Sequence, residues 1–173
     1  RIIYSNIRKF VYFLLACNTA SWWAISDMVN QGHAAFMGLK YAPFPVVSAL
    51  AGMALGGGCE LNLHADAVQA HIESYPGLVE AGIGVIPGWG GCKELLLRHL
   101  EVMNPQSFVV SDDAQKRTPH DARPGAAGGP MPAIAKAFES ISMAKVAGSA
   151  AEAQEMLILN AKSRISMNRR RVL

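Results

Sequence analysis

The stretch Val46-Val47-Ser48-Ala49-Leu50-Ala51-Gly52-Met53-Ala54-Leu55-Gly56-Gly57-Gly58-Cys59-Glu60-Leu61 decides how this chain is read. Val46 to Ala51 is a short apolar run between Pro45 and Gly52, the pattern of a buried strand. After the glycines, Cys59 to Ala65 can continue as a helix. Consecutive glycines at a strand-to-helix junction let a ligand approach the backbone closely. The helix start adds unpaired N–H groups and a positive dipole end, which suits a phosphate or a developing oxyanion. The chain contains no G-x-x-x-x-G-K-[ST] and no G-x-G-x-x-G after a strand, which excludes a P-loop and a dinucleotide fingerprint. A tight packing turn is the competing explanation of the triplet.

Two carboxylates sharpen the choice. Glu60 sits in the first turn of the expected helix, where it also complements the helix dipole. Glu80 lies in an otherwise apolar stretch from Gly77 to Gly88, so it is either exposed at a loop tip or buried for a reason. Two carboxylates in one pocket can divide acid and base work, because burial and mutual repulsion separate their pKa values.

Outward from this centre, Ser21 to Leu39 reads as a helix, with Trp22, Ile25, Val29, Phe36 and Leu39 at helical spacing and Ser21 as cap. Trp22 and Trp23 read as core. Pro43 and Pro45 end that helix. Ala67 to Ile72 is a second strand candidate, followed by a loop-like stretch through Ser74, Tyr75, Pro76 and Gly77. Lys93 to Leu100 is a helix with Leu96, Leu97 and Leu100 as its apolar face. Asn104 to Pro132 is polar and rich in Pro and Gly, a long loop or insertion. Ile134, Phe138 and Ile141 mark an amphipathic helix, and Ser149 with Glu152 forms a capping box for another. The alternation of strands and helices implies an α/β architecture. The expected organisation is a core over 1–103, an insertion over 104–132 and a helical region over 133–173.

Composition narrows the classes of function. The 173 residues are about half hydrophobic and 17% charged, a globular composition with room for a core. The net charge of +3 is mild, and Arg164, Arg169, Arg170 and Arg171 near the end read as a solvated tail, not a nucleic-acid face. Cys17, Cys59 and Cys92 form no C-x-x-C pair, which favours a reducing, cytoplasmic setting. Phe10 to Ala16 is too short to span a bilayer. His64 follows Glu60 by four residues, but no further ligand is nearby, so a packed or hydrogen-bonded histidine is expected and no metal. Cys59 reads as a buried small residue.

The quoted stretch resembles the central motif of the crotonase (enoyl-CoA hydratase/isomerase) superfamily, and Asp66 falls where that motif carries its aspartate. Glu80, Gly84-Val85-Ile86-Pro87-Gly88 and Gly90-Gly91 resemble the second family motif, with matching spacing between the glutamates. Phe138-Glu139, Ala144-Lys145-Val146, Ser149-Ala150 and Arg164 to Arg169 resemble the hydratase-like region of long 3-hydroxyacyl-CoA dehydrogenases. The resemblance implies an α/β crotonase-like fold, a spiral of ββα units, here N-terminally truncated and followed by C-terminal helices.

It implies, further, an enoyl-CoA hydratase in acyl-CoA breakdown. Glu60 and Glu80 would be catalytic: Glu60 mainly the water-binding base, Glu80 mainly the acid. Gly57 would donate its N–H to the thioester oxygen, while Gly56, Gly58, Pro87 and Gly88 would shape the pocket, with Gly88 beside Glu80. The bulk of Trp89 could restrict the acyl tunnel. The partner implied is an acyl-CoA thioester, with coenzyme A as part of the substrate, no cofactor in this segment, NAD in a longer parent protein, and a homo-oligomer as an option. The family's first oxyanion loop should fall near Tyr4 to Phe10, where Ser5-Asn6-Ile7 is a weak echo. Enoyl-CoA isomerisation, which needs one carboxylate, and a non-catalytic binding or assembly module are the alternatives.

Overall fold

The computed structural model describes residues 22–103 and 131–172. The expectations for the Ser21 cap, Phe10 to Ala16, the oxyanion loop near Tyr4 to Phe10, and nearly all of the Pro/Gly-rich segment therefore lie outside the described residues.

Helix α1 spans Trp22–Lys40, strand β1 Val47–Leu55, helix α2 Gly57–His64 and strand β2 Ala67–Gly77. A 3-10 turn at Glu80–Ile83 precedes helix α3, Gly91–Met103. Helix α4 covers Met131–Ser142, helix α5 Ala150–Glu155, and the short strand β3 Arg164–Ser166. The strands form a sheet in the order β1-β2-β3, with both pairings parallel. A parallel pair needs a crossover, and α2 supplies it between β1 and β2.

The β1–β2 register runs Val47↔Ala67 to Leu50↔Ala70, shifts, and resumes Gly52↔Ser74 to Leu55↔Gly77. Gly52 sits at the shift with φ of +83°, a conformation glycine adopts without strain. Leu50, Ala54, Cys59, Leu63, Val68, Ala70, Leu78 and Leu95 form the core between sheet and helices. Ala147, Ala150, Ala153, Ile158 and Leu159 extend it into the C-terminal part. Beneath this core, Arg98 of α3 is buried and its guanidinium donates to the carbonyls of Leu63, Leu157 and Ile158. One side chain thus satisfies acceptors at the end of α2 and beyond the end of α5, which ties the two halves together.

Several sequence expectations need correction. The strand read at Val46–Ala51 runs on to Leu55 and is one-sided: Leu50 and Ala54 are buried while Val47 and Met53 are exposed. Ser74 to Gly77 is strand, not loop, because β1 continues to pair with it. The Pro76 carbonyl, the ladder group proline retains, accepts from Ala147 N–H at 2.9 Å. In α3 the deepest apolar residue is Leu95; Leu96, Leu97 and Leu100 are only half-buried. In α4 the buried residues are Ala133 and Ala137, and Phe138 and Ile134 face outward. Small residues on that face let α4 approach closely, which an apolar count favouring large side chains does not register. Trp23 is 78% exposed, against its reading as core. The Ser149 cap forms, accepting from the Glu152 N–H at 3.1 Å, while Glu152 reaches back one residue beyond the cap and accepts from the Gly148 N–H at 2.7 Å.

Candidate active site

Strand β1 delivers the chain to Gly56, whose φ of +58° turns it into α2. Gly56 N–H donates to Gly77 O at 2.9 Å, and its carbonyl accepts the N–H groups of Cys59 and Glu60. The N–H groups of Gly57 and Gly58 lie one turn too early for an intrahelical acceptor.

Glu60 comes three residues after Gly57 and is buried. Its Oε1 accepts the main-chain N–H groups of Trp89 and Gly91, each at 2.9 Å. Gly90 makes this convergence possible with φ of +106° between the two donors. The Glu60 carboxylate therefore sits at the N-terminus of α3, where an anion is favoured. Its Oε2 is turned toward Gly57, 4.0 Å from where a Cβ would stand on that glycine.

Glu80 opens the 3-10 turn after β2 and is also buried. Its Oε1 lies 3.2 Å from the Cβ position of Gly56, so this glycine leaves the space the carboxylate occupies. Among the described residues, Glu80 Oε2 is buried with no hydrogen-bond partner. Burial raises the Glu80 carboxyl to about 7, with backbone N–H groups opposing this and the charge of Glu60 adding to it. A carboxyl titrating there can carry or release a proton at neutral pH. The two carboxylates thus converge on the consecutive glycines Gly56 and Gly57, one against each.

The remaining sequence-predicted positions separate. Pro87 is buried. Gly88 is exposed, with Val29 of α1 as its neighbour, so it is Gly56 and not Gly88 that Glu80 lies against. Gly58 is exposed and faces back onto Ala54. Cys59 is fully buried, and burial pushes its thiol far above the ordinary range, with the charge of Glu80 adding to this. Asp66 accepts the Val46 N–H at 2.8 Å, fixing the entrance to β1.

Two further features adjoin the site, and the first is the hydrogen-bonded histidine expected at position 64. His64 is buried with Nδ1 2.7 Å from Glu60 O, and its Nε2 faces Glu94 Oε1 at 3.8 Å. Glu94 in turn pairs with Lys40 at 2.5 Å and Lys93 at 3.0 Å. Burial opposes the charge of Glu94, but the two lysines outweigh it and hold the carboxyl below its ordinary value. Glu94 in the first turn of α3 was recognisable as a dipole partner; Lys40, 54 residues earlier, was not. The second feature is the indole of Trp89, which lies against Gly57 and Gly32 and meets Phe36 edge-on at 5.3 Å.

The family model described as enoyl-CoA hydratase/isomerase matches residues 25–105. A Bacillus subtilis (strain 168) protein named as a probable 3-hydroxyacyl-CoA dehydrogenase is 42% identical over 149 residues, 86% of this chain and 16% of that protein. A Rickettsia felis protein named as a fatty acid oxidation complex trifunctional enzyme is 42% identical over 74 residues, 43% of this chain and 10% of its own length. The fold is similar to the crystal structure of an enoyl-CoA hydratase from Bacillus anthracis, with TM-score 0.58 and 23% identity over 84% of this chain and 42% of that one. It is similar as well to an enoyl-CoA hydratase/isomerase from Cupriavidus metallidurans CH34, with TM-score 0.63 and 15% identity over 90% of this chain and 45% of that one. The chain thus spans less than half of these structures and about one sixth of the Bacillus subtilis relative.

Proposed function

The chain belongs to the crotonase (enoyl-CoA hydratase/isomerase) superfamily, and on that premise we propose that it adds water to trans-2-enoyl-CoA thioesters. The observation that carries this reading is the convergence of Glu60 and Glu80 on the Gly56-Gly57 turn. A water between the carboxylates attacks the β-carbon, and Glu60 takes its proton. The electron pair of the double bond shifts toward the thioester oxygen, which the Gly57 N–H receives at the start of α2. Glu80, whose carboxyl is raised to about 7 and so retains a protonated fraction at neutral pH, delivers a proton to the α-carbon. One proton is gained by Glu60 and one lost by Glu80, so exchange between them and solvent restores the site.

Isomerisation uses a single base and leaves the second carboxylate without a task, which is why hydration is the preferred reading. In a longer protein the 3-hydroxyacyl product would pass to a dehydrogenase using NAD. The residues of this chain do not fit NAD: neither glycine loop has the dinucleotide fingerprint.

The test follows the conjugated enoyl-thioester absorbance when protein is added to trans-2-enoyl-CoA of several lengths. Loss of absorbance with formation of the 3-hydroxyacyl thioester is expected. No loss at any length sinks the hydratase reading, and formation of absorbance from a 3-enoyl-CoA points to the isomerase instead.

A further inference from the structure

The geometry points to Trp89 as the residue that closes the acyl end of this site and restricts it to short 2-enoyl thioesters, an inference that rests on the reading of Glu60 and Glu80 above. The indole spans the gap between two helices, and both walls are glycine. A Cβ on Gly32 of α1 would stand 2.2 Å from Trp89 Nε1, and one on Gly57 of α2 would stand 2.8 Å from Cζ3. Any other residue at either position would displace the ring. Glycine inside a helix is unfavourable, so Gly32 in the middle of α1 is accounted for by the close approach of the indole. Phe36, one turn on from Gly32, meets the ring edge-on at 5.3 Å with the planes at 78°.

The same residue also fixes the chemistry, since its main-chain N–H donates to Glu60 Oε1. Backbone and side chain of Trp89 therefore bracket the site: one end orients the base, the other walls the glycine that receives the thioester oxygen. A thioester bound with its oxygen at the Gly57 N–H and its β-carbon between the carboxylates lies along this wall. A four-carbon acyl group ends at the reacting atoms and their first neighbour. A longer tail needs the volume the indole occupies, and Gly32, Phe36 and the Glu60 hydrogen bond hold the indole in place.

The experiment separates binding from turnover. Binding of the saturated butyryl-CoA and decanoyl-CoA is measured by calorimetry on the full chain and on Trp89→Ala and Trp89→Phe, each checked for folding by circular dichroism. The unaltered chain is expected to bind butyryl-CoA about tenfold or more tighter than decanoyl-CoA. Trp89→Ala should remove that preference, and Trp89→Phe, which keeps an aromatic against Phe36, should reduce it. If decanoyl-CoA binds the unaltered chain as tightly as butyryl-CoA, the inference is overturned. It is equally overturned if the preference persists in the folded variants, with Trp89→Phe deciding where Trp89→Ala does not fold. Turnover of trans-2-butenoyl-CoA is read separately. A length preference that follows Trp89 without any turnover sinks the hydratase reading and leaves the role of Trp89 standing, while no binding of either thioester overturns both.

Discussion

Glu60 Oε1 and the Gly91 N–H meet at 2.9 Å, joining the first turn of α2 to the first residue of α3. This hydrogen bond links two glycine-rich segments 31 residues apart, so the second loop sets the orientation of the first carboxylate. A side chain at position 91 would intrude on it directly: a Cβ there would stand 3.0 Å from Glu60 Cγ and Oε1 and 2.9 Å from Leu78 Cδ2.

Gly91→Ala should therefore lower the hydration rate of the folded variant in addition to lowering its stability. A misplacement of about 1 Å at a reacting group can cost on the order of 10²-fold in rate, whereas overpacking one methyl costs about 1–3 kcal/mol. Comparing kcat with the urea midpoint distinguishes the two effects. An unchanged kcat in the folded variant would show that this contact does not orient the carboxylate.

The burial of Glu80 makes stability depend on pH. Its carboxyl is raised to about 7 in the folded chain, above the ordinary carboxylate range of the unfolded one. Between those two values the folded state holds more protons, so stability falls as pH rises through this window, and the full cost of ionisation is present above about 7. Glu80→Gln removes that cost. The variant should be more stable than the parent at pH 8, by on the order of 1–3 kcal/mol, with the difference shrinking toward pH 4. Urea unfolding at several pH values measures it, and a difference that does not vary with pH rejects the assignment.

The site was more legible in the sequence than its surroundings, for physical reasons. Gly56, Gly57, Glu60 and Glu80 announce themselves because glycines at a strand-to-helix junction and a carboxylate among apolar residues are each unfavourable without compensation. The strand β1, the helices and the Ser149 cap follow from local patterns, and the structure reproduces them within a few residues. What was not legible depends on distant partners. Pro76 lies in a strand because Ala54 of β1, on the far side of a helix in sequence, pairs with it. Phe138 is exposed because α4 turns Ala133 and Ala137 inward, and periodicity alone does not say which of two neighbouring apolar rows will face the core.

Arg98 supplies a further case of a residue whose role only the fold reveals. Its guanidinium is buried among the carbonyls of Leu63, Leu157 and Ile158. Arg98→Met would keep much of the apolar stem but strand these acceptors, each costing about 1–3 kcal/mol when buried and unpaired. We expect a loss of about 3–5 kcal/mol in total, since water can reach some of them. Arg98→Lys should recover only part of it, because one ammonium lacks the planar fork that reaches several acceptors. Denaturant unfolding checks both, and a loss below about 1 kcal/mol for Arg98→Met would reject the role.

The two carboxylates make the sharpest prediction, because a shared water couples them. Glu60→Gln keeps an amide oxygen to accept from Trp89 and Gly91, so the loop geometry should survive, but the amide cannot take up a proton at neutral pH. Glu80→Gln keeps the volume against Gly56 and likewise removes the proton donor. If one carboxylate takes the proton of the water while the other feeds the α-carbon in a tightly coupled step, each single change should remove most of the catalysis. The double variant should then be little slower than the worse single variant, as found for catalytic groups that act as a unit. Independent action predicts instead that the two penalties multiply. Loss from one substitution alone would transfer the chemistry to a single base and favour the isomerase reaction. The measurement is kcat/KM for trans-2-butenoyl-CoA with the parent, both single variants and the double variant at one pH below 7. At that pH Glu80 is largely protonated in the parent, so the comparison is not blurred by its titration.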